Sequence, residues 1–178
     1  MIIAAIALAS ARFTLDQDSA LIQLARQSVE AEVLGKPIPK PAGRSEVHPV
    51  FVTIERNGKV LGCRGDLAIR TASLESEVIL AARGAAAHDP RYRPLTKADL
   101  NAFLVTVTVV NRTEPIDTAT GLEPEDGLVL KSGTKTGIVL PWEGKDPSVR
   151  LRWAYLKAGV SLGSPVTLFR LIASRSRG

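Results

Sequence analysis

Asn57-Gly58 falls between two β-prone runs in "VFVTIERNGKVLGCRGDL", residues 50–67. A two-residue type I′ turn needs positive φ at both central positions, and Asn-Gly is the pair that supplies it most readily. The flanking runs are therefore committed to an antiparallel hairpin. This places Cys63, the only cysteine of the chain, near the end of the second strand, where the chain leaves the hairpin. Gly62 and Gly65 flank it; without Cβ atoms they permit unusual backbone angles or the close approach of another group.

Around this hairpin the pattern alternates between helix and strand. Residues 14–37 predict a first helix, with Thr14 and Gln17 as a capping box, Leu21, Ala25, Val29 and Val33 on one face, and Gly35 and Pro37 as the stop. A proline-rich connector, residues 37–41, follows. "SLESEVILAARGAAAHD" predicts an alanine-rich helix suited to close packing on a sheet, and "DPRYRP" breaks it. Thr96 and Asp99 cap a short helix over residues 97–103. "FLVTVTVV" predicts a strand with Val105, Val107 and Val109 on one face, and "NRTEPID" a loop. Residues 127–141 predict a second hairpin turning between Ser132 and Lys135. Residues 146–159 predict a helix with Asp146 as cap, Pro147 in the first turn and Gly159 at the end, and residues 165–174 a closing strand. No regular βαβ rhythm appears, so the expected class is α+β: a single compact domain with a mostly antiparallel sheet and helices packed on it.

The 178 residues suffice for one domain with a sizeable core, and with only 4% aromatic residues that core must be aliphatic. The same scarcity argues against a base-stacking platform for nucleic acid. A net charge of +5 and a pI near 9.7 favour anionic partners, yet no run of five basic residues occurs, so a solvated basic surface accounts for the balance. One cysteine excludes an intrachain disulfide and suits a reducing cytosol, so the expected location is cytoplasmic. His48 and His88 are the only histidines, and no CxxC, HxxxH or EF-hand spacing occurs; no metal site and no cofactor are expected. Residues 1–11 are apolar but too short for a membrane span and lack a basic leader, which predicts an extension before a domain over residues 12–178. Their A-S-A triplet keeps a secretory signal as the alternative.

Several segments occur together in a specific order: "GCRGDL" after the Asn-Gly turn, "AAAHDPRYRPLTKADL", "LVTVTVVNRTEPI", "GIVLP" and "LKAG". This ordered set resembles the AMMECR-type domain family, named after the AMME syndrome chromosomal-region protein, over nearly the whole chain from about Arg12. The resemblance implies a compact α+β domain with a larger and a smaller subdomain. It also implies association with a Memo-like protein or a radical-SAM enzyme, and leaves the biochemical activity open. The chain departs from the family pattern in two places. Similar domains read R-G-C-I-G at the cysteine, whereas here the arginine follows it, as Leu61-Gly62-Cys63-Arg64-Gly65. In an ideal strand positions 61 and 64 point to opposite faces, which puts a substrate role for that arginine in doubt. The segment between Pro141 and Trp153 is also short, which implies a reduced lid or partner surface.

Candidate site residues follow from residue chemistry. Cys63 reads either as a small buried hydrophobe or as a nucleophile whose thiolate Arg64, His88 or His48 would favour. His88 suits the free carbonyls at a helix C-terminus. Arg91 and Arg93, around Tyr92 in a proline-stiffened loop, suit carboxylates or phosphates, or else Asp89 simply pairs with Arg91 to hold the loop. "GTKTG" lacks phosphate-loop spacing and reads as a hairpin turn. Three functions stand side by side. The first is an accessory or binding domain for a partner protein or a small anionic ligand, in a cleft lined by Gly62, Arg64, Gly65, Asp89, Arg91 and Arg93. The second is an enzyme using Cys63 as nucleophile. The third is an RNA- or nucleotide-binding module. None involves a membrane.

Overall fold

The computed structural model describes residues 15–43 and 47–178. The N-terminal extension and Thr14 of the expected capping box lie outside the described residues. Helix α1 (Leu15–Leu34) buries Leu21, Ala25 and Val29, the face its four-residue spacing marks out. Strands β1 (Val50–Arg56) and β2 (Lys59–Gly65) form the hairpin, with φ of 51° at Asn57 and 73° at Gly58. Helix α2 (Leu74–Ala87) starts at Ser73, whose side chain accepts from the Ser76 N–H. Strands β3 (Leu104–Ile116), β4 (Gly127–Ser132) and β5 (Lys135–Val139), helix α3 (Pro147–Ala158) and strand β6 (Thr167–Arg177) complete the chain. Asp146 caps α3 by accepting from the N–H groups of Ser148 and Val149, and Gly159 ends it at φ 64°.

The six strands form one antiparallel sheet in the order β2-β1-β3-β6-β4-β5. It curls. Helices α1 and α2 cover one face of the β2-β1-β3 end over Val50, Val52, Ile54, Val105, Val107 and Val109. Helix α3 covers the β4-β5 end over Leu128, Leu130 and Val139. The opposite faces of the two ends meet through Phe51, Val110, Val129, Leu140 and Leu171, and Cys63 packs at the margin of this third cluster.

Four expectations are corrected. Residues 111–117, read as a loop, mostly continue β3: Arg112 to Ile116 pair with β6 after a register shift at Val110. β1 accompanies β3 only to Val109, so the stretch beyond has one free side, where Pro115 is tolerated without breaking a ladder. The helix expected over residues 97–103 is a 3-10 turn, Lys97–Leu100; Asp99 accepts from Thr96 as the capping box requires, and Ala102 at φ 55° turns Phe103 into the core. β6 extends past Ser174 to Arg177. Finally, β2 carries a bulge. Ile54 opposes Gly62 and Glu55 opposes Val60, so Leu61 is an extra residue. Leu61 and Arg64 consequently share the α2 side of the sheet rather than opposite faces: Leu61 joins the α1–α2 cluster, and a Cβ placed on Gly84 of α2 would lie 3.2 Å from Arg64 Cβ.

Candidate functional site

β2 is an edge strand, and the loop after α2 closes that edge with side chains. The Cys63 N–H donates to Asp89 Oδ2 at 2.9 Å, and Arg91 Nη2 donates to the Cys63 carbonyl at 2.9 Å. Arg91 also grips Asp89, through Nε to Oδ1 at 3.0 Å and Nη2 to Oδ2 at 2.9 Å, while its backbone N–H reaches Oδ1. The Asp89–Arg91 pair thus presents one acceptor and one donor to the strand, as a neighbouring strand would, and blunts the edge against pairing with another chain. Asp89 is buried. Burial raises its pKa, but the hydrogen bonds from Arg91 and from the Cys63 N–H outweigh this and hold the carboxyl below its usual range.

The Cys63 side chain is half-buried on the concave face, where Thr53 Oγ1 donates to Sγ at 3.1 Å. Burial pushes the thiol pKa up and outweighs the Thr53 hydrogen bond; Glu143 adds to the rise, while Arg91 and Lys157 oppose it. At neutral pH the group is therefore a thiol.

Of the residues the sequence singled out, the fold assembles Cys63, Asp89 and Arg91. Gly62 faces the other way. A Cβ there would stand 2.0 Å from the Ala85 carbonyl oxygen, so Gly62 is what lets α2 lie directly on the strand. At Gly65 a Cβ would meet the Val50 carbonyl at 2.2 Å. Arg64 Cβ lies against Gly84 of α2, yet Arg64 and Gly65 also border the larger of the cavities beside Cys63. Arg93 makes a two-pronged pair with Asp99 at 2.8 and 3.0 Å. His88 sits 3.5 Å from Glu32 on the surface, and His48 Nδ1 is 3.2 Å from the Val110 carbonyl oxygen; neither lines the space around Cys63.

Two adjoining cavities of about 130 and 320 Å³ flank Cys63 and share Arg91, Leu140 and Glu143 as walls. The smaller has a polar floor of Thr53, Thr106 and Thr108, with Tyr92, Trp142 and Arg175 around it. Thr106, Thr108, Trp142 and Arg175 were missed in the sequence. The alternation that puts Val105, Val107 and Val109 on the helical face requires Thr106 and Thr108 on the other, so that signal was present. Arg175 lay beyond the expected end of its strand. Trp142 is held at φ 64°, a left-handed conformation that bulky residues rarely adopt, with its N–H donating to the Pro124 carbonyl at 2.7 Å. Among the described residues no group of His, Cys, Asp and Glu is placed to hold a metal, and no helix is long and apolar enough to cross a membrane.

Known proteins share this arrangement of chain. A protein of Thermofilum pendens is 33% identical over 175 residues, covering 84% of this chain and 82% of its own. One of Aeropyrum pernix is 34% identical over 158 residues, covering 79% and 68%. The crystal structure of uncharacterized protein PH0010 from Pyrococcus horikoshii superposes with a TM-score of 0.76 at 26% identity, over 89% of each chain. The AMMECR1 family model matches residues 22–171, a span that runs from α1 to β6 and takes in the whole curled sheet but the end of its last strand. With the ordered motifs, the fold and this match in agreement, the chain belongs to the AMMECR1 family.

Proposed function

We propose that this chain is an accessory binding domain that receives a small anionic ligand in the cleft beside Cys63, in the service of a Memo-like or radical-SAM partner. The observation that carries this reading is the charge balance of the cleft. Arg91 is matched by Asp89, Lys157 by Glu143 and Glu55 by Arg177, whereas Arg175 makes no ion pair among the described residues. Arg64, at the rim of the larger cavity, likewise makes no ion pair among the described residues, and two surplus cations beside a floor of hydroxyls suit an anion. The partner rests on the family resemblance alone. Thermal melting against millimolar inorganic phosphate and small carboxylates tests the reading: a concentration-dependent rise in Tm is expected. No shift with any anion, together with no co-purifying partner, overturns it.

A second reading, Cys63 as nucleophile, draws on one observation: Sγ faces the cavities rather than the α1–α2 core. The raised pKa opposes it. Iodoacetamide labelling of the folded protein is expected to be slow at pH 7, with a midpoint above the free-cysteine value of about 8.5. Fast labelling with a midpoint below that value would move the nucleophile reading into first place.

A further inference from the structure

We infer that the ligand of this cleft carries an oxyanion head on a flat apolar body, and that Arg175 and Thr106 together recognise the head. The inference rests on the anion-binding reading above and names the ligand class and the residues that select it.

Thr106 is 3% exposed, and its Oγ1 has no hydrogen-bond partner in the protein although it lines the cavity. A buried hydroxyl without a partner is destabilising, and replacing it with a methyl group is nearly free or favourable. Its place on a cavity floor is explained if it donates to something that enters. Arg175 supplies the second half. It lies directly across the ladder from Thr108, so Thr106 is its diagonal neighbour on the same face. Such diagonal positions are about 7–8 Å apart, a gap that a phosphate or carboxylate spans when one group is a long guanidinium fork. The hydroxyls continue sideways: Thr106 opposes Thr53 on β1, which opposes Cys63 on β2.

The walls define the body. Tyr92 and Trp142 border the same cavity with Pro141 and Leu140, and Trp142 stands 46% exposed in its strained conformation. Strain of this kind persists where the surroundings impose it, and it collects at ligand clamps. A volume of about 130 Å³ is below the roughly 300 Å³ at which drug-sized ligand sites begin, so the head and one ring fill it. Anything longer must continue into the adjoining cavity past Cys63.

Calorimetric titration with phenyl phosphate, benzoate, inorganic phosphate and benzyl alcohol tests this. Phenyl phosphate or benzoate is expected to bind wild type at least tenfold tighter than inorganic phosphate or benzyl alcohol, and the tighter of the two identifies the head. Arg175→Gln should weaken that binding by about 10–100-fold. Thr106→Val should weaken it severalfold while raising the Tm of the free protein, and Thr106→Ser should retain it. Arg83→Gln, which faces Glu32 of α1 and borders neither cavity, should change nothing. If anions bind wild type but Arg175→Gln and Thr106→Val are indifferent, or inorganic phosphate matches phenyl phosphate, the inference falls and the binding reading stands. If no anion binds wild type, both fall.

Discussion

Alanine at position 62 will cost this protein about 3 kcal/mol of stability, among the largest effects expected of any single methyl group here. The added Cβ would lie 2.0 Å from the Ala85 carbonyl oxygen and 3.0 Å from its carbon. These are backbone atoms in the last turn of α2, so no side chain can swing aside. Either α2 lifts from the sheet or β2 bends away. For a chain of this size the loss corresponds to a fall in Tm of about 6–12 °C. The effect reaches the cleft because Asp89 follows α2 directly: a displaced helix draws the carboxylate away from the Cys63 N–H. Gly84→Ala is the matched control. Its Cβ would meet only the Arg64 stem, at 3.2 Å, and alanine gains helix propensity, so the variant should melt at or above wild type. Gly62→Ala melting within a degree of wild type would show that α2 is not seated on this strand as described.

The contrast between Gly62 and Arg64 also shows what the sequence could and could not convey. Local chemistry was legible: Asn57-Gly58 forces its turn, Asp146-Pro147 starts α3 and Gly159 ends it, because each needs only neighbours in the chain. The bulge at Leu61 was not, since it depends on register against β1 and leaves no mark in β2 itself. Its consequence is that strand parity failed for Arg64. The candidate site divided in the same way. Cys63, Asp89 and Arg91 were recognisable as chemistry, and the loop that carries two of them is stiffened by its own prolines. Arg175 joins them only through the β3–β6 pairing, across sequence distances that no local pattern encodes. Residues 111–117 are the opposite case: proline is rare in a strand interior, but Pro115 sits where β3 has outrun β1 and one side of the ladder is free.

Removal of the Asp89 carboxylate should be the most damaging change within the cleft wall. Asp89→Ala strips the Cys63 N–H of its acceptor and leaves Arg91 without its counter-ion. Breaking a buried pair in this way costs about 3–5 kcal/mol; Arg91 is 49% exposed and can rehydrate, which reduces the expected loss to about 2–3 kcal/mol at pH 7. The pH dependence distinguishes this origin from simple loss of packing. The native carboxyl is held below its usual pKa, so its stabilisation is present above the unfolded value of about 3.9 and fades as pH falls through the lower native value. Wild type and Asp89→Ala should therefore differ most near neutrality and converge in acid. Urea melts from pH 7 down to the acid limb measure this directly. A gap that stays constant across that range would mean that the ionised carboxylate does not hold the clamp. The same variant should label faster with iodoacetamide at fixed pH, because a strand edge released from Asp89 and Arg91 opens more often and exposes Cys63 as it does so. If stability falls but labelling does not quicken, the Asp89–Arg91 pair holds the loop alone and the thiol is shielded from the other side, by the 140–143 loop.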